Sequence, residues 1–124
     1  MLEITENQIK QIQEIGLQKI GFNLGEGYDC ISFVREIYNQ VGLKIDLKNH
    51  PKLSYEDLYE QKSIGHLCFL KHKIFGKKRM NHTGIILPEQ KILHYSSHFH
   101  GKGKYKVYLS SYEEIFQKYN YVDP

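Results

Sequence analysis

The stretch Tyr28-Asp29-Cys30-Ile31-Ser32-Phe33-Val34 decides how the chain is read, because it feeds a cysteine into the first turn of an amphipathic helix. Behind Cys30 the apolar residues Phe33, Val34, Ile37, Tyr38 and Val41 recur at helical spacing, the stripe of a helix packed on a core. Asp29 is a good N-cap, and Gly42 stands where a helix end wants a left-handed residue. Cys30 therefore falls at the first helical position, where unpaired N–H groups and the helix dipole favour a thiolate. Free cysteine is as commonly a small buried hydrophobe, so the position suggests a nucleophile without establishing one.

Outward from this helix, Thr5 and Gln8 read as a capping box and Ile4 with Ile9 as the staple around it. A helix from there to about Ile20 should bury Ile9, Ile12, Ile15 and Ile20 and stop near Gly21. Gly25-Glu26-Gly27 makes a pliant approach to Cys30. Beyond the Cys30 helix, Lys44 to Leu53 is irregular, and Ser54 is placed to cap a short helix over Tyr55 to Gln61. The period then becomes strand-like: His66 to Lys71, Asn81 to Leu87, Lys91 to Ser96 and Tyr105 to Leu109. A basic loop, Lys71 to Arg79, separates the first two. Ser110 or Ser111 caps a last short helix ending near Gln117 and Lys118, and Tyr119 to Val122 forms a terminal edge strand. Helices first and an antiparallel sheet after is an α+β order.

The 124 residues are enough for one domain, 1–124, with its own core. A net charge of +3 is mild, so it does not call for nucleic acid, though it suits an anionic surface or substrate. The two cysteines, Cys30 and Cys68, form no CxxC motif, and nothing requires an oxidising compartment, although a disulfide between them stays open. No basic leader or membrane-length apolar run is visible, which predicts a chain folded in the cytoplasm unless a signal has already been removed.

The second chemical feature is a pair of histidines. If Pro88-Glu89-Gln90 is a three-residue hairpin loop, Leu87 faces Lys91 and Gly84 faces His94. His82 and His94 then share one sheet face as diagonal neighbours, roughly 7–8 Å apart at the backbone. Gly84, without a side chain, leaves His94 room to lean toward His82. A two- or four-residue loop would put them on opposite faces. Thiol catalysis needs a thiol at a helix start, an imidazole to take its proton and a polar group to fix that imidazole's tautomer. Cys30, His82 and His94 supply one of each.

In these stretches, Tyr28 to Val34, His82-Thr83-Gly84-Ile85-Ile86 and Ile92-Leu93-His94-Tyr95-Ser96-Ser97, the sequence resembles the NlpC-type cell-wall cysteine peptidases. Ile64-Gly65-His66-Leu67-Cys68-Phe69-Leu70 is similar to the strand that precedes the family's histidine, and the resemblance spans roughly residues 16 to 109. It implies a minimal papain-like fold, with N-terminal helices packed on an antiparallel sheet. It further implies Cys30 as nucleophile, His82 as general base and then acid, His94 as the orienting third catalytic residue, and Tyr28 and Asp29 lining the substrate pocket. The implied activity is hydrolysis of amide bonds in peptidoglycan stem peptides through an acyl-enzyme, without cofactor or metal. The sequence departs from the family pattern where its Ser-Gly is Ile31-Ser32, where its strand aspartate is His66, and in the short loop before Asp29.

Other readings stand beside this one. Within the same chemistry lies thiol-based acyl transfer or deamidation on an intracellular target. A different class is a silent module docking anionic polymers through Lys71 to Arg79 with Lys102, Lys104 and Lys106, where Tyr105 and Tyr108 would serve an RNA-binding surface. Zinc on His82, His94 and His98 is disfavoured because alternate strand residues stand about 6.6 Å apart. Cys68 reads as core, and His50, His66, His72, His98 and His100 as solvated. A monomer is expected, with no nucleic-acid partner and no membrane-spanning segment. The missing leader points to a phage-associated or injected protein if the substrate is cell wall.

Overall fold

A computed structural model describes residues 3–25, 27–46, 50–74, 77–96, 105–119 and 121–122, with backbone alone at 72–74, 77–81 and 121. Helix α1 (Glu6–Lys19) opens with the Thr5/Gln8 capping box, and helix α2 (Cys30–Gln40) with Asp29. Strands β1 (Leu67–Ile74), β2 (Lys77–Leu87), β3 (Lys91–Ser96) and β4 (Lys106–Ser111) follow, then α3 (Tyr112–Lys118) and β5 (Tyr121–Val122). The five strands form one antiparallel sheet in the order β4-β3-β2-β1-β5. This is the expected α+β architecture, N-terminal helices on an antiparallel sheet.

The sheet separates two apolar clusters. On one face α2 lays Phe33, Val34, Ile37 and Tyr38, all fully buried, against Leu67, Ile85, Leu93 and Tyr95, with Ile12 of α1 alongside. On the other face Cys68, Leu70, Ile86 and Ile92 pack against Tyr112, Ile115 and Tyr119. The alternation follows from the period-2 direction of side chains along each strand. Gly42 ends α2 with φ of 80°, a conformation open to glycine at little cost.

Several expectations need correction. Helix α1 ends one residue early, and Ile20, turned out of the helix at ψ 130°, is 40% exposed. Ile12 is fully buried and Ile15 packs partly buried on the core as expected, and Gly16 joins the buried face because it lets Leu93 press against the helix. Ser54 does exchange hydrogen bonds with Asp57, but the segment forms two 3-10 turns, Asp57–Tyr59 and Gln61–Ser63, in place of an α-helix. The basic stretch is largely strand: His72 pairs with Arg79, Lys73 with Lys78 and Ile74 with Lys77. His50 and His66 are buried, at 5% and 9% exposure, where solvated residues were expected. The His50 imidazole accepts the Leu67 N–H at 3.0 Å through Nε2, which draws it into the sheet end. The side chain of His72, and His98, His100, Lys102 and Lys104, lie outside the described residues.

Candidate active site

Cys30 is the first residue of α2, and the Asp29 carboxylate that caps the helix accepts from the Ser32 N–H at 2.8 Å and the Ser32 hydroxyl at 2.7 Å. Those bonds hold Asp29 below the usual carboxylate range, although it stays exposed. The Cys30 thiol is half-buried. Burial pushes the thiol above its ordinary value, and the Asp29 charge adds to this, against the opposing Thr83, Ile31 and Cys30 N–H groups. At this site desolvation outweighs the helix-start effect read from sequence. Cys30 thus rests as a thiol.

The hairpin register is the one the three-residue loop requires. Leu87 pairs with Lys91, Ile86 with Ile92 and Ile85 with Leu93, with Glu89 and Gln90 at φ of 66° and 58° making the turn. His82 and His94 lie beyond this paired run on one face, and His82 Nε2 stands 2.9 Å from His94 Nδ1. A bulge just before His82, where β2 carries one residue more than β1 between the pairs Leu70–His82 and His72–Arg79, sets its direction. A Cβ on Gly84 would come within 3.1 Å of the His94 Cβ, which is the close approach that glycine permits.

Two further residues brace the pair. His94 Nε2 lies 2.9 Å from the Ser110 hydroxyl, and both groups are buried. The Tyr119 ring stacks on His82 with centroids 5.0 Å apart and planes 11° apart. Sequence reading missed both. Ser110 was legible in principle, since β3 and β4 pair Ile92 with Ser110 and His94 with Tyr108, putting all four on one face. Tyr119 follows a helix whose docking no local pattern fixes. Tyr28 is half-buried and meets Tyr95 edge-on at 5.8 Å. Cys68 is core as read, its thiol pushed up to about 12 by burial. Both cysteines are free thiols. No cluster of three metal-binding side chains occurs among the described residues.

A helix-start cysteine laid against an antiparallel sheet that carries two bonded imidazoles is the minimal papain-like arrangement, and the fold is of that class. The NlpC/P60 family model matches residues 18–122, and the chain belongs to the NlpC/P60 family. The family is in general one of cysteine peptidases and amidases, so membership supports a function of the cell-wall peptidase or amidase kind. Among solved structures, the fold is similar to a Staphylococcus aureus protein described as similar to lipoprotein, NLP/P60 family. The two share 15% identity at a TM-score of 0.64, over 98% of this chain and 41% of that one. The chain thus spans less than half the length of that relative. No curated protein matches it. No helix among the described residues is long and apolar enough to cross a membrane.

Proposed function

We propose that residues 1–124 act as one catalytic domain, a cysteine peptidase or amidase that hydrolyses amide bonds of peptidoglycan stem peptides. The observation that carries this is the bonded pair His82 Nε2–His94 Nδ1, 2.9 Å apart, with the backbone N–H of Thr83, the residue after His82, acting on the Cys30 thiol. With Nε2 committed to His94, proton exchange with the thiol falls to His82 Nδ1. Because burial keeps Cys30 protonated at rest, transfer of its proton to His82 accompanies attack on the substrate carbonyl. The sulfur–carbon bond forms, the tetrahedral oxyanion takes the Cys30 N–H, and His82 returns the proton to the departing amine. Water, deprotonated by His82, then hydrolyses the thioester and frees Cys30. His94 orients His82 throughout, and Tyr28 and Asp29 border the substrate.

A wall substrate places the work outside the cytoplasm, so the chain acts after export, injection or phage delivery, as a monomer and without cofactor. The test is digestion of purified stem peptides and intact sacculi, with fragment masses read out. Wild type should release fragments cut at one amide, and Cys30→Ala none. Release by Cys30→Ala at the wild-type rate would refute the mechanism. Hydrolysis of other acyl groups alone would move the assignment to intracellular acyl transfer or deamidation.

A further inference from the structure

We infer that Ser110 is a positioning residue of this site, the acceptor that holds His94 in the one tautomer compatible with a charged His82. The inference rests on the proposed role of His82 as base. The chain of contacts is His82 Nε2 to His94 Nδ1 at 2.9 Å and His94 Nε2 to Ser110 Oγ at 2.9 Å, with His94 fully buried and Ser110 at 2% exposure.

Two proton arrangements fit three such groups. In one, the Ser110 hydroxyl donates to His94 Nε2, His94 Nδ1–H donates to His82 Nε2, and His82 carries its own proton on Nδ1. That His82 has no lone pair for the thiol's proton. In the other, His82 Nε2–H donates to His94 Nδ1, and His94 Nε2–H donates to Ser110 Oγ. Here His82 Nδ1 is a base.

Once His82 takes the Cys30 proton both its nitrogens carry hydrogen, and Nε2–H must find an acceptor. His94 Nδ1 is that acceptor only if the His94 proton sits on Nε2, and a buried Nε2–H needs Ser110. A serine hydroxyl can turn to accept, which alanine cannot. The groups facing the pair from packed elements are Tyr108 from β4 and Tyr119 after α3, and Cys30 of α2 acts on Tyr119 in turn. Tyr119 is held neutral, its hydroxyl pushed up to about 12 by burial.

The experiment is nitrogen-15 NMR of histidine-labelled protein across pH, together with steady-state kinetics on a stem-peptide fragment. With His82 doubly protonated, His94 should carry its proton on Nε2. Ser110→Ala should mix the His94 tautomers, shift the His82 titration to lower pH and cut kcat about tenfold at little change in KM. Ser110→Thr, which keeps the hydroxyl, should restore all three. A wild-type His94 protonated on Nδ1 while His82 is charged overturns the assignment, even if Ser110→Ala fails to fold. So does a folded Ser110→Ala with unchanged tautomer, titration and kcat. The spectra need no substrate, so Cys30→Ala that still hydrolyses would sink the peptidase reading while the NMR tautomers continue to decide the role of Ser110.

Discussion

Substituting Gly84 with alanine tests whether close packing of β2 on β3 is what brings the two imidazoles together. The added Cβ would meet Ile92 Cγ2 at 2.5 Å, the Leu93 carbonyl oxygen at 2.9 Å and the His94 Cβ at 3.1 Å. Ordinary carbon contacts lie at about 3.5–4.0 Å, so the overlap at Ile92 is about 1 Å. Ile92 is β-branched and fully buried, and the Leu93 oxygen is backbone, so neither can swing aside. Strand β3 must back away from β2, and overpacking of this kind costs about 1–3 kcal/mol. The same movement lengthens the 2.9 Å His82–His94 bond. A misplacement of about 1 Å costs on the order of 100-fold in rate, and a few tenths of that should cost about tenfold in kcat. Urea unfolding, with the slope checked for constancy, reads the first effect, and turnover on a stem-peptide fragment reads the second. Gly16→Ala is the control, since the atoms nearest its Cβ are all in the Leu93 side chain, on the other face of the sheet. It should leave kcat unchanged wherever it is folded. A Gly84→Ala protein with the wild-type midpoint and the wild-type kcat would refute the reasoning.

Iodoacetamide at neutral pH should modify Cys30 and spare Cys68 until the protein is unfolded. In His82→Ala the Cys30 rate should rise only at pH above the ordinary thiol range, because burial raises that thiol; peptide mapping by mass spectrometry reads both. Asp29→Ala should lose about 1 kcal/mol of stability with the cap, whereas Asp29→Ser should keep it. A raised KM in Asp29→Ser at unchanged stability would then report substrate contact, and an unchanged KM would remove Asp29 from the pocket. Burial, with His66 beside it, depresses His50 from 6.5 to about 4, and burial lowers His66 as well. The unfolded chain therefore binds protons that the folded one refuses. The stability that neutral His50 contributes is present above about 6.5 and lost as pH falls through about 4. Urea midpoints from pH 7.5 to 4.5 should fall less steeply for His50→Gln than for wild type, and parallel curves would refute the assignment. Tyr119→Leu should lower kcat by freeing the His82 ring, while Tyr119→Phe, which keeps the stacked face, should stay within a few-fold of wild type.

What could be read from sequence was whatever local chemistry dictates. The α2 stripe, its Asp29 cap and its Gly42 stop are each set within a few residues, and all appear as expected. The His82–His94 pairing was legible because a three-residue loop and the period of two fix which residues share a face. The rest depends on contacts between distant segments. His50 is 17 residues from the Leu67 N–H that it accepts, and nothing around it in sequence marks it as buried. The hairpin through Lys73 and Lys78 is held by backbone pairing, to which a hydrophobic pattern is blind. The thiol of Cys30 departs from expectation for a related reason. The helix start is visible in sequence, but the burial that outweighs it comes from β2 and the segments around it.

The site draws its parts from both faces of the sheet, and this explains why no single motif contains it. Cys30 rides on α2, whose apolar stripe packs on the face of Leu67, Ile85 and Leu93. His82 and His94 stand on the opposite face, with Cys68, Ile86 and Tyr119 as neighbours in that layer. The backbone N–H of Thr83, the residue next to His82, acts on the Cys30 thiol, and Tyr119, which stacks on His82, also senses Cys30. The relative position of the two sets is therefore fixed by two independent packings, α2 on one side and α3 with Tyr119 on the other. With Cys30 half-buried and both imidazoles buried, an unpaired charge there would be costly. In the proposed mechanism, the proton transfer from Cys30 to His82 is then best timed to substrate attack, when the developing oxyanion and its donors share the field.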